Sequence, residues 1–293
     1  MVSIIIPTMN RAELLAQRAL RSAINQNFKD YEIIVIDDAG TDDTKNMMKS
    51  YMARHNNIRY HKLAKNGGLS HARNFGIQCA RGEYVVCLDD DNELAPDFLK
   101  ETTSMLQMNP DVHAIYTGRV IQYREFADQV FATLGKFTAI DWGWLMRKWI
   151  FNVIQYDEDL RANEDTDFGI RFFKLFRAMG VNKPLQVAHD ELGDPKKSLS
   201  FPNERELNGM KLFFKKNLQE YDDPKELWCL YRLMGRKFYR GGFRLAGLRY
   251  LWLGFKGYRN LRSFLHLFFM CWGWTVYDIF MTLEERAGAR MRT

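Results

Sequence analysis

The sequence predicts an α/β protein: a mostly parallel central sheet flanked by helices, followed by a helical C-terminal extension. Three observations predict it. Short β-branched runs alternate with helix-period segments as far as Met108. Polar and acidic residues close three of those runs, at Pro7-Thr8-Met9-Asn10, Asp37-Asp38 and Asp89-Asp90-Asp91; in a parallel sheet such ends share one edge, where ligands bind. Charge is also uneven. Leu227 to Thr293 carries 12 Lys/Arg against three acids, a net of +9, leaving −3 for the rest of a chain whose total is +6.

The elements follow in order. Residues 2–6 are β-branched and end at Pro7, which reads as a buried strand. Leu14, Leu15, Ala19, Leu20, Ala23 and Ile24 recur at helical spacing over 10–25, with Asn10 placed as the N-cap. A strand at 31–36, a helix at 41–55 and a strand at 58–63 come next. Asn66-Gly67-Gly68 turns into a helix over 70–80, which Arg81-Gly82 ends. Residues 83–88 form a fourth strand running into the aspartates, and Pro96 opens a helix reaching Met108. A strand-like run lies at 114–121, whereas 141–150 is aromatic-rich and fits strand or helix. Phe168, Phe172, Leu175, Phe176 and Met179 predict an amphipathic helix over 165–179. Residues 183–187 suit a strand. A polar loop at 191–203 leads to helices over 204–217 and from Pro224 onward.

With 293 residues and 46% hydrophobic content, wholesale disorder is excluded and a main domain with an appendage is accommodated. The expected division is a main domain at 1–220 and a basic, aromatic-rich helical extension at 221–293. Cys79, Cys87, Cys229 and Cys271 are far apart and lack CxxC spacing, so neither a disulfide framework nor a zinc site is expected. The first residues enter a strand-like run without a basic or long apolar leader, which makes the cytoplasm the expected location.

Four constellations bear on chemistry. Asp89-Asp90-Asp91 follows the apolar run 84–88, and three adjacent carboxylates repel one another unless a cation offsets them. On extended backbone Asp89 and Asp91 face one way and Asp90 the other; the plainer alternative is a solvated acidic turn. Asp38, just past a buried strand, can accept a hydrogen bond from a nucleobase or ribose, while Thr41 or Asp42 suits helix capping. Asn66-Gly67-Gly68 with Arg73 can admit phosphate at a helix start, though Asn-Gly-Gly is also an ordinary turn. Glu164-Asp165 opens an amphipathic helix, where an acid can serve as a base toward a hydroxyl or simply favour the helix dipole.

Taken together, VSIIIPTMNR, YEIIVIDDAGTDD, NGGLSHARNFGI, ARGEYVVCLDDDN and NEDTDFGIRF resemble, in order and rough spacing, the family 2 inverting glycosyltransferases. The likeness covers about residues 2–190 and implies a GT-A type, Rossmann-like fold. It implies nucleotide-sugar contacts at Pro7, Thr8, Asn10 and Asp38, at Asn66 and Arg73 near the diphosphate, and at Asp90 near ribose. It further implies that Asp89 and Asp91 hold Mg2+ or Mn2+, with His189 as a further metal or phosphate contact. Asp165, in the catalytic pair with Glu164, matches the base. The implied reaction is a single displacement on a nucleoside-diphosphate sugar, a UDP-sugar favoured, by a hydroxyl of a glycan or lipid-linked acceptor in bacterial cell-surface polysaccharide or lipopolysaccharide assembly. No QxxRW signature is present, which favours addition of one sugar.

Residues 231–262 hold nine Lys/Arg and no acid, interleaved with aromatics. The apolar run 265–280 would span roughly 24 Å as a helix against a hydrocarbon core of about 30 Å. A helix lying on an anionic membrane surface, through 227–280, is therefore expected over a crossing one, which would place the protein on the inner face of the cytoplasmic membrane. A helical hairpin packed on the main domain is the alternative. Nucleic acid is not an expected partner, since no binding motif accompanies the basic residues. Two other functions compete: a sugar nucleotidyltransferase, disfavoured because Pro7-Thr8-Met9-Asn10-Arg11 has no glycine, and a non-catalytic membrane-surface adaptor, disfavoured by intact Asp89, Asp91 and Asp165.

Overall fold

The computed structural model describes residues 1–122, 127–130, 142–189, 204–220, 223–240, 242–259 and 261–271. The expected loop at 191–203 and the part of the apolar run at 272–280 lie outside them. The chain divides into two units, Met1–Lys197 and Ser198–Thr293.

The first unit is built on one sheet. Its strands are β1 (Val2–Thr8), β2 (Tyr31–Asp37), β3 (Ile58–Lys62), β4 (Tyr84–Cys87), β5 (Glu93–Leu94), β6 (Ala114–Gln122), β7 (Ala127–Val130), β8 (Leu145–Arg147) and β9 (Ala178–His189). Their order is β3-β2-β1-β4-β8-β6-β9-β5, with β7 paired to β6. The stretch β3-β2-β1-β4 is wholly parallel, as the alternation of strand and helix requires. Past β4 the sheet becomes mixed: β8 runs antiparallel to both β4 and β6, while β6 and β9 are parallel.

Every residue of β1 is buried, which only a strand covered on both faces can achieve. Ile4 and Ile6 join Val35, Val86 and Leu88 on one face, under Leu15, Leu20, Met48 and Phe98 of the covering helices. Ile5 joins Ile34, Ile36 and Cys87 on the other, under Ala72, Ile77, Phe168 and Phe172. Each such isoleucine contributes about 1.5–3 kcal/mol by burial. The Leu69–Cys79 helix comes close to the sheet at Gly76, where a Cβ would stand 2.3 Å from Ile5 Cγ2.

Two local expectations need correction, and one open reading is resolved. The helix over 165–179 is Glu164–Leu175; Phe176 is extended, and Ala178 and Met179 pair with Ala114 and Ile115 of β6. Strand pairing overrides the apolar period there, and Leu175 is left 59% exposed. The ambiguous aromatic segment becomes β8 followed by a 3-10 turn, Lys148–Asn152, because Trp144, Leu145 and Met146 fill space beside β4. Asn10 does not cap the first helix. It sits at φ 56° and accepts from the backbone N–H of Thr41 (2.6 Å) and Asp42 (3.2 Å), while Asp42 reaches back to accept from Ala12 N at 2.9 Å.

The second unit is helical over its described residues: Glu204–Asn217, a 3-10 turn Leu218–Glu220, Pro224–Arg240, Arg244–Gly257 and Leu261–Cys271. Trp228, Met234 and Phe238 are buried along one helix, Gly247, Leu251 and Gly254 along the next.

Candidate active site

Three strand ends assemble the site. β1 lies between β2 and β4, Thr8 is opposite Asp37, and Leu88 N donates to Ile5 O at 2.9 Å. The loops after β1, β2 and β4 therefore leave the sheet side by side, carrying Asn10, Asp38 and the three aspartates.

The aspartates leave β4 through a turn rather than on the extended backbone expected: Asn92 N donates to Asp89 O at 3.2 Å, with Asp90 and Asp91 as the turn's central residues. Asp90 turns inward, its side chain 6% exposed, whereas Asp89 and Asp91 stay 27% and 31% exposed. Asp90 accepts from the Thr8 hydroxyl at 2.7 Å and from Arg11 Nη1 at 2.7 Å. Burial pushes its pKa up to about 6, and the Asp91 charge adds to this against the opposing pull of Arg11 and Thr8. Asp91 is raised as well, by burial and then by Asp89; it shares Arg11 Nη1 at 3.1 Å and accepts from Asn92 Nδ2 at 3.0 Å. The first helix runs Ala12–Leu15, then a π-turn Ala16–Leu20, then Arg21–Ile24, and the π-turn presents Arg18, which donates to Asp91 O at 3.2 Å.

Arg73 joins this edge to a second carboxylate pair. Its side chain, 2% exposed, donates to Asp89 Oδ1 at 2.8 Å and to Glu164 Oε1 at 3.2 Å, and it lies over the Tyr156 ring at 5.2 Å. Burial alone would lower its pKa, but Asp89, Tyr156 and Glu164 hold it above the ordinary guanidinium value. Burial pushes Glu164 up to about 7, with Asp165 raising it further and Arg73 opposing. Asp165 follows on the same helix start; its Oδ1 accepts from Thr166 N at 2.6 Å, and its Oδ2 accepts nothing among the described residues.

The remaining expected residues fall nearby in different roles. Asp38 accepts from the backbone N–H of Gly67 (2.7 Å) and Gly68 (2.8 Å), tying the Asn66-Gly67-Gly68 turn to β2. Gly68 has φ 85°, and Arg161 donates to Gly67 O across it. Asn66 is exposed and contacts Met9. Pro7 is buried within β1. His189, ending β9, contacts Glu93 Oε1 through Nε2 at 2.7 Å, and its N–H donates to Asn92 Oδ1 at 3.1 Å. The structure thus links Thr8, Asp89, Asp90, Asp91, Arg73 and Glu164 into contacting groups along one edge. Asp38, Asn66 and Asn10 sit at its β2 side and His189 at its β9 side.

Arg11, Arg18, Tyr156 and Glu93 are site-building residues that the sequence reading passed over. Arg11 belongs to the first motif, VSIIIPTMNR; the other three carry no local pattern, since their partners in the site are 73 or more positions away.

Asp89 and Asp91 offer carboxylate oxygens, which suit a hard divalent cation. Among the described residues Asp89 Oδ2 has no hydrogen-bond partner, and burial first, then the neighbouring aspartate, raises the pKa of Asp90 and of Asp91. Among the described residues no three His, Cys, Asp or Glu side chains converge on one point.

Comparison with known proteins agrees with this architecture. The sequence matches the family described as Glycosyl transferase family 2 over residues 3–183. A Campylobacter jejuni protein, "GalNAc(5)-diNAcBac-PP-undecaprenol beta-1,3-glucosyltransferase", is 42% identical over 98 residues, which are 32% of this chain and 30% of that protein. The "Putative colanic acid biosynthesis glycosyl transferase WcaA" of Escherichia coli K12 is 25% identical over 269 residues, 81% of this chain and 89% of its own length. The chain spans less than two thirds of the length of the first curated relatives it matches. Among solved structures, S. aureus TarS 1-349 in complex with UDP-GlcNAc aligns at TM-score 0.58 and 18% identity, covering 89% of this chain and 77% of that one. The Pyrobaculum calidifontis mannosyltransferase PcManGT, in complex with GDP-Man and Mn2+, aligns at TM-score 0.57 and 18% identity, covering 91% and 78%. With the family match extending over more than half of its length, the chain belongs to glycosyl transferase family 2.

Proposed function

We propose that this chain is a divalent-metal-dependent, inverting glycosyltransferase that moves one sugar from a nucleoside-diphosphate sugar, a UDP-sugar favoured, to a hydroxyl of a glycan or lipid-linked acceptor. One observation carries the reading: buried Arg73 joins the acidic end of β4 to the helix start that bears Glu164 and Asp165. A donor's pyrophosphate and an acceptor's hydroxyl therefore have their chemical counterparts at one edge.

Asp165 accepts the acceptor's proton. The freed oxygen pair forms the new bond at the anomeric carbon from the face opposite the leaving group, the carbon–oxygen bond to the diphosphate breaks, and the nucleoside diphosphate departs with that electron pair. Configuration inverts because there is one displacement. Thr166, donating to Oδ1, holds the Asp165 carboxylate in place. Asp89 and Asp91 would hold Mg2+ or Mn2+, which supplies positive charge to the departing diphosphate. His189, held by Glu93, stands ready as a further metal or phosphate contact. Pro7, Thr8, Asn10, Asp38, Asn66, Arg73 and Asp90 form the nucleotide-sugar-binding set, with Asn66 and Arg73 toward the diphosphate and Asp90 toward ribose.

The complexes of TarS with UDP-GlcNAc and of PcManGT with GDP-Man and Mn2+ support donor class and metal. The names of the C. jejuni and E. coli relatives support bacterial polysaccharide assembly with a lipid-linked acceptor. A panel of nucleoside-diphosphate sugars, read by metal-dependent hydrolysis and calorimetry, tests the proposal. At least one donor binds with Mg2+ or Mn2+ and binding disappears in Asp91→Ala; undiminished affinity in that variant refutes the metal assignment.

A further inference from the structure

The second unit carries an outer face that the transfer chemistry does not use. On the Arg244–Gly257 helix, Leu245, Arg249, Trp252 and Lys256 follow one another at i, i+4, i+7 and i+11, and all four are exposed, Leu245 at 85% and Trp252 at 51%. On the Leu261–Cys271 helix, Leu261, Phe264, Phe268 and Cys271 recur at helical spacing and are exposed too. The two rows are contiguous. Ring centroids step from Trp252 to Phe255 (5.8 Å), to Phe264 (6.1 Å) and to Phe268 (5.9 Å), an aromatic ladder crossing from one helix to the next. The opposite side of the same helices is the packed one, with Gly247, Leu251 and Gly254 buried on the first and His266 and Met270 on the second.

Solvent is a poor partner for such a surface, and a protein core would reject its cations. Arg249, Lys256 and Arg259 are exposed beside the ladder, and no acid occurs between Tyr231 and Arg262. Apolar side chains interleaved with long basic ones, whose stems lie along apolar surface while their heads reach outward, match the boundary between acyl chains and anionic headgroups. No described helix is long and apolar enough to cross a membrane.

We propose that the face formed by Leu245, Trp252, Phe264 and Phe268, rimmed by Arg249 and Lys256, docks in the plane of an anionic lipid surface. Trp252 and the phenylalanines enter the headgroup boundary, and the basic residues pair with lipid phosphate. Charge complementarity selects lipid over a second copy, because two such faces would bring like charges together. The proposal is independent of the glycosyl-transfer reading, since it is tested without donor or acceptor.

The test is flotation of the full chain with phosphatidylcholine vesicles, with and without phosphatidylglycerol. Binding is expected only with phosphatidylglycerol, and it weakens as salt rises. Arg249→Glu/Lys256→Glu is expected to weaken it on the order of tenfold or more, and Trp252→Ser/Phe264→Ser/Phe268→Ser to a similar degree; circular dichroism confirms that these exposed substitutions leave the fold intact. Equal binding of wild type and both variants overturns the proposal. So does equal binding to neutral vesicles, or sedimentation showing that the face closes a dimer and leaves no lipid binding.

Discussion

At the scale of single residues, Arg73 decides how the site is wired. The sequence reading placed it near the diphosphate, whereas the structure seals it between Asp89, Glu164 and the Tyr156 ring. Removing one member of a buried ionic group strands the others, so Arg73→Met is expected to destabilise the fold by about 3–5 kcal/mol, measured by urea denaturation. Glu164 gives a pH signature. Its folded pKa is raised to about 7, so its contribution to stability is fully present below the ordinary carboxylate range and is lost as pH rises through 7. Glu164→Gln should abolish that loss, on the order of 2–3 kcal/mol, when unfolding free energies at pH 5 and pH 8 are compared. Asp165→Asn should retain donor binding while transfer falls on the order of 10²–10⁴-fold; full activity in that variant would remove Asp165 from the mechanism.

At the scale of elements, the loops after β1 and β2 cap each other's neighbours. Asn10 accepts from the 41–42 backbone, and Asp42 accepts from Ala12 N as well as from the Thr44 N–H at 3.2 Å and hydroxyl at 2.6 Å. One carboxylate thus serves two helix starts, one of them distant in sequence. Asp42→Ala should cost about 1–2 kcal/mol, seen as a lower urea midpoint with an unchanged slope. The same elements show where sequence patterns mislead. An apolar period continues past Leu175, but the chain turns to pair with β6, and nothing local in Phe176-Arg177-Ala178 announces it. Helical spacing reports which residues are apolar, not which of two partners will bury them.

At the scale of the whole chain, a bound donor stabilises the native state by mass action. A nucleoside-diphosphate sugar at about 100 times its Kd should add about 2.7 kcal/mol, raising Tm by several degrees only while Mg2+ or Mn2+ is present and not after chelation. The parallel core was legible in the sequence because its strands are short, β-branched and punctuated, and because alternation with helices leaves few topologies. The acidic edge was legible for the same reason: a polar cluster ending a buried strand must emerge at the sheet's carboxyl side. The antiparallel insertion of β8 beside β4, the cross-loop cap from Asp42 and the Asp89–Arg73–Glu164 bridge belong to the tertiary structure alone. Local sequence determines period, burial tendency and turn chemistry within a few residues. Which carboxylate an arginine meets across 91 positions is decided only when strands and helices have packed.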